Sequence, residues 1–262
     1  MKRLILLCAA VLLPFAAGAQ TVELCARASV GADYKIVKGL HLLAEEEIRT
    51  GVNAFDSFRT TIELTYKPVK YVKVGTGYTL INSYSSSDQA FKSPRHRFFL
   101  EATGYLPVGD FQFSLKEKLQ LTHRTGDFNV YQNTPNLVAS KTRLGLKYKG
   151  WKKFVPGVSA ELRVALNNPT IGTLGATGTT KSGKTYYEYT PAGYDTADLD
   201  RLRLNLSGEI KFNKHHSLTP YVLVDFCSDY EIDTNSEGTR LFSAQYNKYT
   251  ALSAGLSYVF SF

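Results

Sequence analysis

Tyr246–Phe262, YNKYTALSAGLSYVFSF, is the stretch whose reading decides the rest of the chain. In an extended segment successive side chains point to opposite sides. Tyr246, Leu252, Ala254, Leu256, Tyr258, Phe260 and Phe262 therefore share one face, and Asn247, Ser253, Gly255, Ser257 and Ser261 share the other. The run is far longer than the mean strand of about 5–6 residues in soluble domains. It also continues to the last residue, where an ordinary domain frays.

The other end of the chain is read with it. Lys2 and Arg3 precede the apolar run LILLCAAVLLPF, and Ala17-Gly18-Ala19 follows, which is the order of a basic n-region, an apolar h-region and a small-residue cleavage site. This predicts a signal peptide over residues 1–19, cleavage before Gln20, and one β-barrel domain over residues 20–262. Cys8 lies inside the apolar run rather than at its end, which argues against a lipid anchor. No later segment reaches 18 consecutive apolar residues, so helical membrane spans are not expected.

Composition supports strands. There are 17 Tyr and 15 Phe against one Met and one Trp, and aromatic residues fit pleated surfaces. The formal charge of +8 falls to +6 without Lys2 and Arg3 and is spread along the chain, so no nucleic-acid-binding patch is expected. Cys25 and Cys227 are the cysteines outside the leader. An exported compartment permits a bridge between them, but two cysteines do not make a disulfide framework.

Eleven stretches alternate with period two. Ala26, Ala28, Val30, Ala32 and Tyr34 oppose Arg27, Ser29, Asp33 and Lys35, and Leu202, Leu204, Leu206, Ile210 and Phe212 oppose Arg201, Arg203, Asn205, Glu209 and Lys211. Leu40–Arg49, with its AEEEI centre, can be read as helix by itself and is assigned to strand by its neighbours. Glu117 breaks the pattern by falling on an apolar face. Short turns at 37–39, 67–70, 107–110, 150–153 and 213–216 alternate with longer connections near 50–56, 82–94, 126–137, 168–198 and 232–243. That asymmetry, with Tyr66, Tyr105, Phe111, Tyr148, Trp151, Phe154 and Phe212 beside the short turns, is the pattern of an outer-membrane barrel and its interfacial girdle.

The expected fold is thus all-β, a transmembrane antiparallel up-and-down barrel of about 10–12 strands. Because single-chain bacterial barrels close with even numbers, eleven stretches imply ten strands, if the first is not a full one, or twelve, if a long loop holds another, and twelve is preferred. A lipid-facing Arg or Lys costs about 2–4 kcal/mol at the bilayer midplane. The charged face must then point inward, and Arg59, Glu63, Lys73, Arg97, Glu101, Arg143, Lys147, Glu161, Arg163, Arg203, Glu209 and Asp225 are expected to line the lumen. These charges have two readings: a paired network that fills the interior, or a wetted lining that biases which small solute passes. A soluble lipocalin-like barrel would show the same alternation with the apolar face inside.

Two motifs compete with this reading. Gly178-Thr-Thr-Lys-Ser-Gly183-Lys184-Thr185 fits G-x-x-x-x-G-K-[ST], but it lies in Gly/Thr-rich sequence and precedes YYEYTP rather than a helix, so an external loop is expected. Asp233-x-Asn235-x-Glu237-Gly238 opens like a calcium loop, yet Ala244 stands where the bidentate Glu belongs. An outer-membrane hydrolase is the alternative from another class. Its histidines would come from His41, His96, His123, His215 and His216, and only His123, with Asp127 in the next loop, lies near the external rim. No catalytic, cofactor-binding or metal-binding residue is assigned, and no cofactor is expected.

The leader, LLAEEEIR (42–49), IELTYKPVKYVKVGTGY (62–78), RHRFFLEA (95–102), RLRLNLSGEIKFNKHHSLTPYV (201–222) and GLSYVFSF (255–262) together resemble an uncharacterised family of small Bacteroidota-type outer-membrane barrels. The terminal strand closed by Phe262 also resembles the last strand of Gram-negative outer-membrane barrels, whose assembly machinery reads such an end. The resemblance implies a fold, a location in outer-membrane lipid and the assembly machinery as partner. It implies no reaction.

Overall fold

The computed structural model describes residues 22–51 and 55–262. The expected signal peptide over residues 1–19 and the expected cleavage before Gln20 lie outside the described residues. The described chain forms β1 (Val22–Val37), β2 (Leu40–Gly51), β3 (Phe55–Val69), β4 (Val72–Ser85), β5 (Ala90–Phe91), β6 (Arg95–Val108), β7 (Phe111–Arg124), β8 (Asn136–Tyr148), β9 (Phe154–Asn168), β10 (Thr173–Thr179), β11 (Thr185–Thr190), β12 (Thr196–Lys211), β13 (His216–Thr234) and β14 (Arg240–Ser261). The AEEEI segment is strand, within β2.

Eleven strands close the barrel in the order β1-β2-β3-β4-β6-β7-β8-β9-β12-β13-β14, and β14 returns to β1. Neighbours are antiparallel except at that seam, where Val22–Asp33 runs parallel to Thr250–Ser261. The expectation of twelve is therefore corrected. An odd number makes the first and last strands run the same way, and a parallel ladder joins them at a small cost in pairing strength. Phe262 N donates to Asp33 O at 2.9 Å, which extends the seam to the last residue, and Ser261 N donates to His215 O at 2.7 Å on the β13 side of the same strand.

The extra strands stand outside the barrel. β5 pairs with the end of β4, and the β10–β11 hairpin pairs with the upper part of β14 through Tyr187–Leu241 and Glu188–Arg240. Tyr189, Ile232 and Leu241 form a small apolar core there, beyond the main wall. Two connections are shorter than expected, because β2 and β3 leave only 52–54 between them and β13 and β14 leave only 235–239.

Burial is inverted relative to a soluble protein. Val30, Leu100, Leu106 and Leu144 are each 62% exposed, whereas Asp225 is 2%, Glu161 4% and Glu101 6% exposed. The arrangement expected of a lipocalin-like barrel, apolar inside, is not the one formed. At the short-turn end Phe111, Tyr148, Trp151 and Phe154 make a continuous aromatic band, with Trp151 and Phe154 stacked at 5.8 Å.

Candidate functional site: the charged lumen

Period two carries the charged residues inward, and the register then sets which of them meet. One row passes from Asp225 on β13 to Arg203 on β12, Glu161 on β9, Arg143 on β8 and Lys116 on β7. Its charges alternate over the first four strands, and the pairs form. Arg203 Nε and Nη2 donate to the two Asp225 oxygens at 2.6 and 2.7 Å, and Arg143 Nε donates to Glu161 at 2.7 Å. Arg27 from β1 reaches Asp225 at 3.5 Å. Glu101 holds Lys116 at 2.7 Å and Lys118 at 2.6 Å, with Lys73 at 3.8 Å from both Glu101 and Glu63. Bidentate Arg–carboxylate geometry of this kind is the strong form of the interaction.

Two rings complete the waist. Phe99 points inward with Lys118 Nζ 3.7 Å above its ring. Tyr221 lies across Gly255, where a Cβ would stand 2.2 Å from the ring, so glycine is what lets the phenol fold flat against the wall.

Two hollows, sharing no lining residue, lie along the lumen. The inner one, about 500 Å³, faces the short turns and is lined by Lys67, Lys73, Arg143, Lys147, Lys149 and Lys211 with Glu209 as its acid. Burial, with Lys147, Lys211 and Lys67 close by, holds the Lys149 ammonium below its ordinary range. The outer one, about 470 Å³, carries nine Arg or Lys against Asp200, Asp229 and Glu231. Its roof is the 125–135 loop. Gln132, Asn133 and Thr134 line the hollow, and the loop is tied across to the β13–β14 turn by Gln132 Nε2 to Thr234 O at 3.0 Å and Asn129 Nδ2 to Asn235 O at 3.1 Å. Tyr194 OH donates to Val130 O at 2.6 Å, and burial pushes that phenol up.

Of the residues expected in the lumen, Arg59, Arg97, Arg163 and Arg203 line the outer hollow and Lys73, Arg143, Lys147 and Glu209 the inner one. Glu63, Glu101, Glu161 and Asp225 supply the carboxylates of the ion pairs. Arg49, Arg95, Arg124, Lys141 and Arg201 share the outer hollow without having been expected there, although the alternation had already put Arg201 on the charged face of its strand. Counting alternate residues from Arg97, Arg143 and Arg203 would have found Arg95, Lys141 and Arg201.

The remaining candidates resolve differently. His123 Nδ1 lies 2.8 Å from Asn136 Oδ1, so Asn136 rather than Asp127 is its partner. Residues 178–185 cap the β10–β11 hairpin, with Thr180 N donating to Lys184 O and Gly183 at φ +85°, and strand β11 follows where a phosphate loop needs a helix. In the acidic turn, Asp233 pairs with Lys184 at 2.6 Å, and the Asn235 side-chain oxygen accepts from Thr239 N and Arg240 N. Cys25 and Cys227 are free thiols. They sit opposite Ser253 and Tyr249 on the two sides of β14, so no bridge forms.

A closed barrel with an apolar outer wall and a charged lumen has the architecture of the outer-membrane class of β-barrels. The chain belongs to the family described as "Protein of unknown function (DUF2490)", whose profile matches residues 28–235. No curated protein matches it. Among solved structures the chain is similar to "Outer-membrane expressed OmpT of Vibrio cholerae", at 8% identity over 83% of this chain and 84% of that one, with a TM-score of 0.33.

Proposed function

We propose that the chain is exported, inserted in the outer membrane with the help of the barrel-assembly machinery acting on the strand that ends at Phe262, and works there as a narrow, anion-preferring passage. The observation that carries this is the division of the lumen: a waist of paired charges and two rings separates two hollows, and both hollows hold a clear excess of cations. Cationic walls in a low-dielectric cylinder concentrate anions.

The outer wall supports the membrane reading. A broad apolar hollow of about 690 Å³, bounded by Leu106, Phe113, Leu115, Leu144, Val158 and Leu204, is open on the outside, a surface suited to acyl chains and costly in water. Soluble monomers rarely expose contiguous patches beyond a few hundred Å².

Reconstitution into a planar bilayer tests the passage. Small conductance steps are expected, with a reversal potential in a KCl gradient that reports chloride preference. Cation preference, or silence at every voltage, would remove the passage reading. A folded protein that stays monomeric without detergent would remove the membrane reading as well.

A further inference from the structure

We infer that the outer hollow is a binding site for a compact multivalent oxyanion, a small solute carrying two or more phosphoryl or carboxylate groups. The inference deepens the passage reading and rests on it only in that the lumen opens toward the loop side.

The two tiers of luminal charge differ. At the waist nearly every cation has a carboxylate. Above it, Arg59, Arg95, Arg97, Arg124 and Arg201 have none within ion-pair distance among the described residues. Three of the five come from a single register row, Arg59 on β3, Ile81 on β4, Arg95 on β6 and Arg124 on β7. Arg97 stands one tier lower, donating to Thr122 Oγ1 at 3.0 Å, and Arg95 donates to Ser83 Oγ at 2.7 Å. Those neutral partners orient the forks without neutralising them.

A second, independent observation points to a ligand. Arg59 Nε, Arg124 Nε and Arg201 Nε are buried atoms without a hydrogen-bond partner. A buried donor left unpaired on a charged group is costly, and the guanidinium groups of Arg59, Arg95, Arg97 and Arg124, gathered around one hollow, repel each other through a poorly screened interior. Both penalties fall together when an anion with several acceptor oxygens enters. Arginine forks match phosphoryl and carboxylate oxygens in pairs.

The roof selects for size. A hollow of about 470 Å³ beneath the tied 125–135 loop admits a small metabolite-sized anion and excludes a polymer. The waist below, already neutralised by Asp225, Glu161 and Glu101, offers such a ligand far less attraction.

Calorimetric titration of the full chain folded in a zwitterionic detergent, at constant ionic strength, is the test. Inorganic pyrophosphate and citrate serve as the phosphoryl and carboxylate probes. Saturable binding of either at one site per chain is expected, weakened at least tenfold in R95Q/R124Q and unchanged within twofold in K214Q, which removes one charge from an exposed turn.

Should R95Q/R124Q fail to fold, arginine modification of the native protein gives a second readout. The bound probe is expected to protect Arg59, Arg95, Arg97, Arg124 and Arg201 from phenylglyoxal, but not the exposed Arg240. Heats no larger than those of chloride, equal weakening by K214Q, or equal labelling of all these arginines would overturn the inference. Binding without any bilayer conductance would leave the site standing and refute the passage. Anion-selective conductance without binding would do the reverse.

Discussion

Glu117 is the residue that most visibly breaks the plan of the chain. It faces outward from the middle of β7, with Thr142 Oγ1 donating to its carboxylate at 2.6 Å and Ser140 Oγ donating to the other oxygen. Two hydroxyls from β8 soften the desolvation of a carboxyl on an otherwise apolar wall without abolishing it. In the proposed membrane setting, replacing it with Leu is expected to stabilise the folded protein by on the order of 1 kcal/mol, below the cost of a midplane Arg. The check is the urea midpoint in lipid vesicles, and an unchanged or lowered midpoint would contradict the account.

Glu46, between Val30 and Thr60, also faces outward, and the sequence reading did not single it out because AEEEI shows no clean alternation. Gly255 makes the opposite point. Gly255→Ala is expected to destabilise by about 1–3 kcal/mol through overpacking against Tyr221. The double variant with Tyr221→Ala should recover most of that loss in a double-mutant cycle, and additive losses would place the strain elsewhere.

At the scale of elements, what matters is which charges share a row. Asp225 on β13 receives Arg203 from β12 and Arg27 from across the seam, with its side chain 3% exposed. Asp225→Ala leaves two buried guanidinium groups uncompensated and is expected to cost about 3 kcal/mol, as breaking a buried pair does. The same change is expected to raise single-channel conductance, because it opens the waist. A variant as stable as the parent, with unaltered conductance, would show that the row neither braces nor narrows the lumen.

The β10–β11 hairpin stands outside the barrel and is held to its wall by two register pairs to β14, by Tyr189 in the small outer core, by the Lys184–Asp233 ion pair and by the ring contact of Tyr186 with Phe242. Replacing 173–190 with a short Gly-Ser linker is expected to leave the barrel folded, measured as retained heat-modifiable mobility on a gel. Loss of the folded band would mean the hairpin takes part in closure.

For the whole molecule the seam is the decisive feature. Ser29 and Ser257 face each other across β1 and β14, with their Oγ atoms 2.9 Å apart. In a background with Cys25 and Cys227 replaced by Ser, S29C/S257C is expected to form a disulfide that joins the first strand to the last. The adjacent pairs are within reach of backbone spacing for a bridge. Failure to bridge, or bridging only after a shift in register, would refute an odd-stranded parallel closure.

Much of this was legible in the residues alone. The alternation of Leu202, Leu204 and Leu206 with Arg201, Arg203 and Asn205 fixes a two-faced strand wherever it occurs, and the price of a lipid-facing arginine decides which face turns inward. Strand number, the parallel seam, and the split of luminal charge into a neutralised waist and an unneutralised outer tier were not legible. They depend on register, and register joins residues as distant in sequence as Arg27 and Asp225, or Arg59 and Arg124. Local periodicity reports the side of the strand a residue occupies. Only closure of the sheet determines which residue stands beside it.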